Sequence, residues 1–351
     1  MQNVRIVLVG LGNLGRRFCE TVAAKESLLA ERYGLSLTLV GAADSRGVAY
    51  APEGLDMLEV AALKAAGGTI ADYPDVGRTD WDAVALVEAA EADVLMDASP
   101  VNLDAGAEPG LTCIRTAMNK GWDVITPNKG PLVVAFRELH DLAREKNIAL
   151  RYDGTVAGGL PALNVGCRDL RGAQVSRLEA VPNLVTGYVM DMLAQGTSWA
   201  DATAKARAAG VLESPPEWDL DGWDAAAKLV ILANAILGCD AKIDDVERAG
   251  VATVPAAELA AALERGEKYR LLARAELQDD DSYKLSVLPT PLKPEHPLGH
   301  MGSKQMGVVY TTDIYGTITF IIDEPDPVPS SATMLRDLLD IYVDVSTTLV
   351  I

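Results

Sequence analysis

The chain has 351 residues, 49% of them hydrophobic and 23% charged, which is too much for one compact core and suits two domains of ordinary globular composition. Its 50 acidic against 31 basic residues give a net charge of −19, which argues against general binding to nucleic acid or an anionic membrane but leaves room for a local basic pocket around a phosphate. No apolar run reaches the roughly 18 residues of a membrane span, and the first residues enter a strand without the shape of a signal peptide, so a cytoplasmic location is expected. The four cysteines (Cys19, Cys113, Cys167, Cys239) and three histidines (His140, His296, His300) are scattered, with neither disulfide-framework nor metal-cluster spacing.

Arg5 to Gly10 reads as a buried parallel strand. It runs into Gly10-Leu-Gly12-Asn13-Leu14-Gly15, a Gly-x-Gly-x-x-Gly turn, and then a helix expected from about Gly12 to Ala24. Between a strand and a helix, such a turn holds a dinucleotide. The first glycine makes the tight turn, the second admits the pyrophosphate, and the third lets the helix pack on the strand. A second strand, residues 36–43, ends at Asp44, placed to hold the ribose 2′-hydroxyl of NAD across a long loop at 28–35. Ser45 and Arg46 follow directly and suit a 2′-phosphate, so NAD and NADP both remain open. A further repeat contains the strand from Val94, ending in a polar loop with Ser99, and a helix from Leu111 to Gly121. The strand 123–126 leads into a loop with Asn128 and Lys129. Ser99 and Lys129 lie beyond the carboxyl ends of strands, where ligands bind in open α/β sheets. A helix at 133–146 and a strand at 149–152 close a dinucleotide-binding domain, residues 1–150.

The second domain, residues 151–323, reads as mixed α+β with an antiparallel sheet. It starts with a small-residue loop, 152–161, that can expose carbonyls to an ion. A strand at 177–181 leads to the segment 183–188, read as a loop, and then an amphipathic helix at 198–209. Strands are expected at 283–288, 307–313 and 316–322, and a proline-rich turn, 324–329, precedes a helix at 331–339. The segment 324–351 is expected to pack back on the first domain. The chemistry concentrates in residues 213–228. Asp224 and Lys228, four apart, share a helix face. Asp219 lies in the approach to that helix and Glu213 six residues earlier. Carboxylates and one ammonium at a helix start suit a small zwitterion. The bland alternative is a surface pair worth about 0.3–0.5 kcal/mol.

Taken together, these motifs resemble the homoserine dehydrogenase family over nearly the whole chain. The resemblance rests on the glycine turn, Asp44 to Gly47, Thr126 to Gly130, Thr155 to Pro161, Gly210 to Glu213, and above all Asp219 to Lys228. It implies a Rossmann-type doubly wound parallel sheet joined to an α+β substrate and dimerisation domain. It also implies interconversion of homoserine and aspartate semialdehyde with NAD or NADP, a step of threonine and methionine biosynthesis. Carried over by position, Lys129 and Lys228 are the active-site lysines, one of which moves the hydroxyl proton. That is general acid–base work, and it needs a depressed lysine pKa or a relay. Glu213 grips the substrate ammonium, Asp219 and Asp224 support it, and Thr186 lies by the substrate. Gly10, Gly12, Asn13, Leu14, Gly15, Asp44, Ser45, Arg46, Ser99 and Asn128 hold the cofactor. A monovalent cation, Na+ or K+, sits on backbone oxygens of Asp153, Val156, Gly158 and Leu160. A homodimer is implied, and no ACT-type regulatory module is expected after Ile351.

This chain departs from the family pattern at 183–188, where Leu184 and Val185 are bulkier than usual, and at 323–329, where prolines replace a glycine turn. These departures keep two alternatives in view: a related oxidoreductase acting on another small hydroxy acid or amino alcohol, and a non-catalytic nucleotide-binding homologue.

Overall fold

The computed structural model of the protein describes residues 1–210, 212, 216–324, 326 and 328–343. The chain forms two compact units, one of residues 1–155 with the segment from residue 326, the other of residues 156–325.

In the first unit β1 (Gln2–Val9) leads through Gly10 into α1 (Asn13–Tyr33). The helix continues past Ala24, so the long loop expected at 28–35 is mostly helix. It stops because Gly34 adopts a left-handed conformation (φ 62°) and donates its N–H to the Ala30 carbonyl, with Arg32 near the negative helix end. β2 (Leu35–Asp44) turns at Ser45 and Arg46 into an antiparallel partner, β3 (Gly47–Leu55). Then come α2 (Met57–Ala65), capped by Asp56, β4 (Gly77–Arg78) and α3 (Ala83–Ala89). Next are β5 (Val94–Asp97), α4 (Gly110–Asn119), β6 (Asp123–Ile125), α5 (Lys129–Lys146) and β7 (Leu150–Arg151). The sheet order is β4-β3-β2-β1-β5-β6-β7, with β2, β1, β5, β6 and β7 parallel. The chain leaves β1 for β2 on one side and reaches β5 on the other. The carboxyl ends of β1 and β5 are therefore the topological switch point at which doubly wound sheets bind ligands.

The second unit starts with α6 (Ala162–Asn164), β8 (Val175–Val181) and α7 (Leu184–Ala194). The segment expected as a loop at 183–188 is thus the first turn of a helix. Asn183 caps it, accepting the Val185 N–H at 2.8 Å. α8 (Trp199–Ala208), α9 (Glu217–Leu220) and α10 (Trp223–Ile236) follow. Asp219 belongs to α9, and Gly222, at φ 82°, breaks the chain before α10. β9 (Glu247–Arg248), α11 (Ala256–Glu264), β10 (Lys268–Leu277), β11 (Tyr283–Leu292), β12 (Gln305–Thr312) and β13 (Gly316–Asp323) complete the unit. The sheet runs β13-β12-β8-β10-β11-β9, antiparallel except where β9 joins β11. Helices α7, α10 and α11 pack against β10.

α12 (Val328–Tyr342) belongs to the first unit, where Met334 and Leu338 join the core formed by Ile6, Leu8, Phe18, Leu39 and Met96. It is also fastened by polar groups. Arg336 pairs with Asp153, and the Asp153 N–H donates to Asp337 Oδ2 at 3.2 Å. Both carboxylates are buried, and Asp337 Oδ1 meets no donor among the described residues. Burial first, and then the charge of Asp153, push the Asp337 carboxyl up to about 8.

A group whose pKa is raised on folding binds its proton more tightly in the folded state. Stability is therefore greatest at low pH and is lost as pH rises from the ordinary value of 3.8 through about 8. Asp337→Asn cannot ionise. Compared with wild type in urea titrations, it should gain on the order of 2 kcal/mol between about pH 5 and about pH 9. Parallel pH profiles for the two proteins would show that Asp337 is not the group responsible.

Candidate functional site

The glycine turn lies where the topology directs ligands. Gly10 has φ 92°, and a Cβ there would strike the backbone of Ala98 and Ser99 at the end of β5. A Cβ on Gly15 would collide with the Gly10 carbonyl, so helix and strand meet without side chains. Gly12 differs: no atom lies within 4 Å of where its Cβ would be. It forms the N-cap of α1 with no side-chain cap, and the first turn, Asn13 to Gly15, carries no acidic residue. Amide N–H groups at the start of a long helix, with open space above them, make an anion site.

At the same end of the sheet Asp97, fully buried, closes β5. Its carboxylate accepts the Ser99 N–H at 3.1 Å and Asn128 Nδ2 at 3.1 Å. Asn128 also donates to Ser99 Oγ at 3.1 Å and, through Oδ1, caps α5 by accepting the Gly130 N–H at 3.0 Å. Burial raises the Asp97 carboxyl, against the lowering effect of hydrogen bonds from Ser99, Asn128 and Thr126. This network fixes the N-terminus of α5, whose first residue is Lys129 rather than a loop residue.

Asp44 is committed to its own neighbourhood. Lys64 Nζ lies 2.5 Å from Oδ2, which also accepts the Ile70 N–H, while Oδ1 accepts from Thr69 Oγ1 and the Arg46 N–H. Burial opposes ionisation, but these bonds outweigh it and hold the carboxyl below its usual range. Four donors fill a carboxylate, so the expected ribose contact finds no open acceptor here. The exposed residues at this turn are Ser45 and Arg46.

In the second unit the acidic stretch closes into a compact constellation. Asn183 Nδ2 donates to Asp219 Oδ1 at 3.0 Å and to Asp224 Oδ2 at 2.9 Å. Lys228 Nζ lies 2.7 Å from Asp224 Oδ2 and donates to the Pro182 carbonyl at 2.8 Å. Asp224 is only 5% exposed, so the surface-pair alternative does not hold; breaking a buried pair of this kind costs about 3–5 kcal/mol. Thr186, one turn into α7, is 1% exposed and its Oγ1 has no partner among the described residues. Glu213 lies outside the described residues. Asn183 and Asp97 were not expected as site residues. An Asn before an apolar run, and an Asp ending an apolar strand, are the signals that mark them.

Around the 152–161 segment Asp153 lies in the first unit, whereas Val156, Gly158 and Leu160 lie in the second. Ala157 and Gly158 both have positive φ (55° and 56°). Glu324 is buried and accepts the Gly159 N–H at 2.9 Å. The start of the proline-rich turn is therefore pinned to this segment. Among the described residues no group of His, Cys, Asp and Glu has metal-cluster geometry, and no helix is long and apolar enough to cross a membrane. A separate cavity of about 390 Å³ opens at the amino ends of β1, β5 and β6. Its polar groups serve one another, as where Tyr342 donates to Asp123 at 2.8 Å, and it lies at the opposite end of the sheet from the glycine turn.

The family model described as homoserine dehydrogenase matches residues 161–339, the stretch that carries the Asn183–Lys228 constellation. A homoserine dehydrogenase of Methanocaldococcus jannaschii is 30% identical over 338 residues, covering 96% of this chain and 98% of that one. The chain belongs to the homoserine dehydrogenase family. An NAD(+)-dependent homoserine dehydrogenase of Pseudomonas canavaninivorans is 29% identical, with 97% of each chain covered. A hyperthermophilic archaeal homoserine dehydrogenase solved in complex with NADPH matches with a TM-score of 0.82 at 27% identity, over 97% of this chain and 98% of that one. The family's fold, an α/β unit with a largely parallel sheet and a second unit with a mixed sheet, is the one observed.

Asn183 connects three helices of this homoserine dehydrogenase, α7, α9 and α10. Asn183→Ala should uncap α7 and leave two carboxylates without their shared donor, at a cost of about 3 kcal/mol. Urea denaturation measures this; a loss below about 1 kcal/mol would mean the cap alone matters.

Proposed function

We propose that the protein interconverts L-homoserine and L-aspartate 4-semialdehyde with NAD or NADP, and that the constellation Asn183–Asp219–Asp224–Lys228 holds the amino acid. The single observation that carries this reading is the convergence of these four side chains, with Asn183 and Asp224 buried, in the unit matched by the family model. Its side chains sum to one net negative charge, two carboxylates against one ammonium, and Glu213 adds a carboxylate to the same stretch. Such a site attracts the substrate ammonium. Thr186, with its unpartnered hydroxyl, is assigned to a polar group of the same ligand.

The nicotinamide cofactor, when bound, gives or takes the hydride. The protein's part is to hold both ligands and to manage one proton. In the direction of reduction, Lys228 Nζ donates a proton to the carbonyl oxygen as its carbon gains the hydride; oxidation reverses both transfers. Two acceptors, Asp224 and Pro182, orient this ammonium, which has three N–H donors. Lys129, set by the Asp97–Asn128 network, is the second candidate for that proton. The start of α1 is assigned to the pyrophosphate, with Asn13 and Leu14 in its first turn, and Ser99 and Asn128 border the same switch point. At the ribose, Asp44 is already filled and Arg46 is exposed, which favours the 2′-phosphorylated cofactor. A hard monovalent cation fits the backbone oxygens of Val156, Gly158 and Leu160, with the Glu324 carboxylate close by. Two copies are proposed to associate through the sheet of the second unit, whose edge strand β13 presents an exposed Ile321.

The reduced-nicotinamide absorbance should rise with homoserine present, faster with NADP than with NAD. Lys228→Ala should lower kcat by at least roughly 10²-fold, and Lys129→Ala similarly. Near-wild-type kcat in both variants would remove the lysines from the mechanism. A rise only with a different alcohol would reassign the substrate.

A further inference from the structure

One dipeptide occurs twice inside this site, as Trp218-Asp219 and Trp223-Asp224. The first is on α9, the second opens α10, and the left-handed Gly222 turns the chain between them. The two indoles stack, with centroids 6.3 Å apart and planes 8° from parallel. Arg248, on β9, lays its guanidinium 3.6 Å above the Trp223 ring and donates to the Asp221 carbonyl in the intervening turn. β9 is in turn fixed to β11, with Arg248 opposite Val287. Two residues on, a Cβ at Gly250 would come within 2.8 Å of Asp221 Cα, so strand and turn are in backbone contact. Each indole is thus one residue from a carboxylate that accepts from Asn183 Nδ2. What fixes the ring spacing from one side restrains the carboxylate spacing on the other.

We infer that Arg248 and the Trp218–Trp223 stack form a clamp that sets the separation of Asp219 and Asp224, and so the affinity for the substrate's amino group. Arg248 is a positioning residue: it acts through the turn and the rings. The planar guanidinium suits both tasks, stacking on the indole while reaching the carbonyl, which a lysine cannot do at once. The inference rests on the reading of the two aspartates as ammonium-binding groups.

Steady-state kinetics and circular dichroism of the indole bands in the far-UV, both on the whole chain, test it together. The stacked indoles should give an exciton couplet in wild type that Arg248→Ala weakens. The same variant should raise the homoserine KM roughly tenfold, leave the cofactor KM unchanged and hold kcat within about twofold. Arg248→Lys should fall between, and Trp218→Phe, which keeps a ring in the stack, should stay within about threefold of the wild-type KM. Where Arg248→Ala does not fold, Trp218→Ala reads the same quantity. A flat homoserine KM in these variants, beside a raised KM in Asp219→Asn, overturns the clamp and leaves the carboxylate reading standing. A flat KM in Asp219→Asn overturns both.

Discussion

The amide nitrogen of Asn183 stands between two carboxylates that would otherwise repel each other. It has two hydrogens and spends one on Asp219 and one on Asp224. Its oxygen holds the first turn of α7. One side chain thereby ties α7, α9 and α10 into a single polar centre. Lys228 compensates Asp224 directly, at 2.7 Å. A site with neither acid neutralised would be too costly to bury.

The first unit solves a different problem with less charge. Its ligand end is made of backbone: a left-handed Gly10, an open Gly12, and a Gly15 that brings α1 onto β1. Charged side chains there are used to hold other groups in place. Asp97 orients Asn128, which caps α5 and so sets the position of Lys129. Asp44 braces the β2–β3 turn through Lys64 and Thr69. A buried carboxylate satisfied by donors is rigid, because moving any partner exposes its desolvation cost.

Much of this was legible in the sequence. The strand, glycine turn and helix at the N-terminus follow from pattern and context, as does the i,i+4 pair of Asp224 and Lys228. What the spacing of that pair could not convey was burial, since a surface pair and a buried pair look alike until Leu229 to Leu232 are known to be enclosed on every side. The segment 183–188 resembled a loop because Leu-Val-Thr-Gly carries β-branched residues and a glycine, weak helix formers all. Tertiary burial of Val185 and Val189, with the Asn183 cap, overrides that preference. The end of α1 is set by Gly34, a C-terminal signal that outranks the charged run before it. Residues 47–90 form short elements with no strong period, and the bracing role of Asp44 depends on partners 20 to 26 positions away, which no local pattern encodes.

The overall charge sharpens the division of labour. A chain of net charge −19 repels an anionic dinucleotide at long range, yet the glycine turn is proposed to receive one. At physiological ionic strength that repulsion is screened beyond about 8 Å, so local groups decide. Those groups are favourable: α1 opens with no acid in its first turn, and Arg16 and Arg17 follow within it. Arg16 is partly neutralised by Glu20 at 2.5 Å, whereas the buried Nε of Arg17 has no partner among the described residues. Cations near a helix N-terminus are unfavourable by themselves, and an anion bound ahead of them reverses the sign. The acidic surface and the cationic, acid-free start of α1 are thus compatible. The first acts at distances that salt erases, the second at distances that it does not.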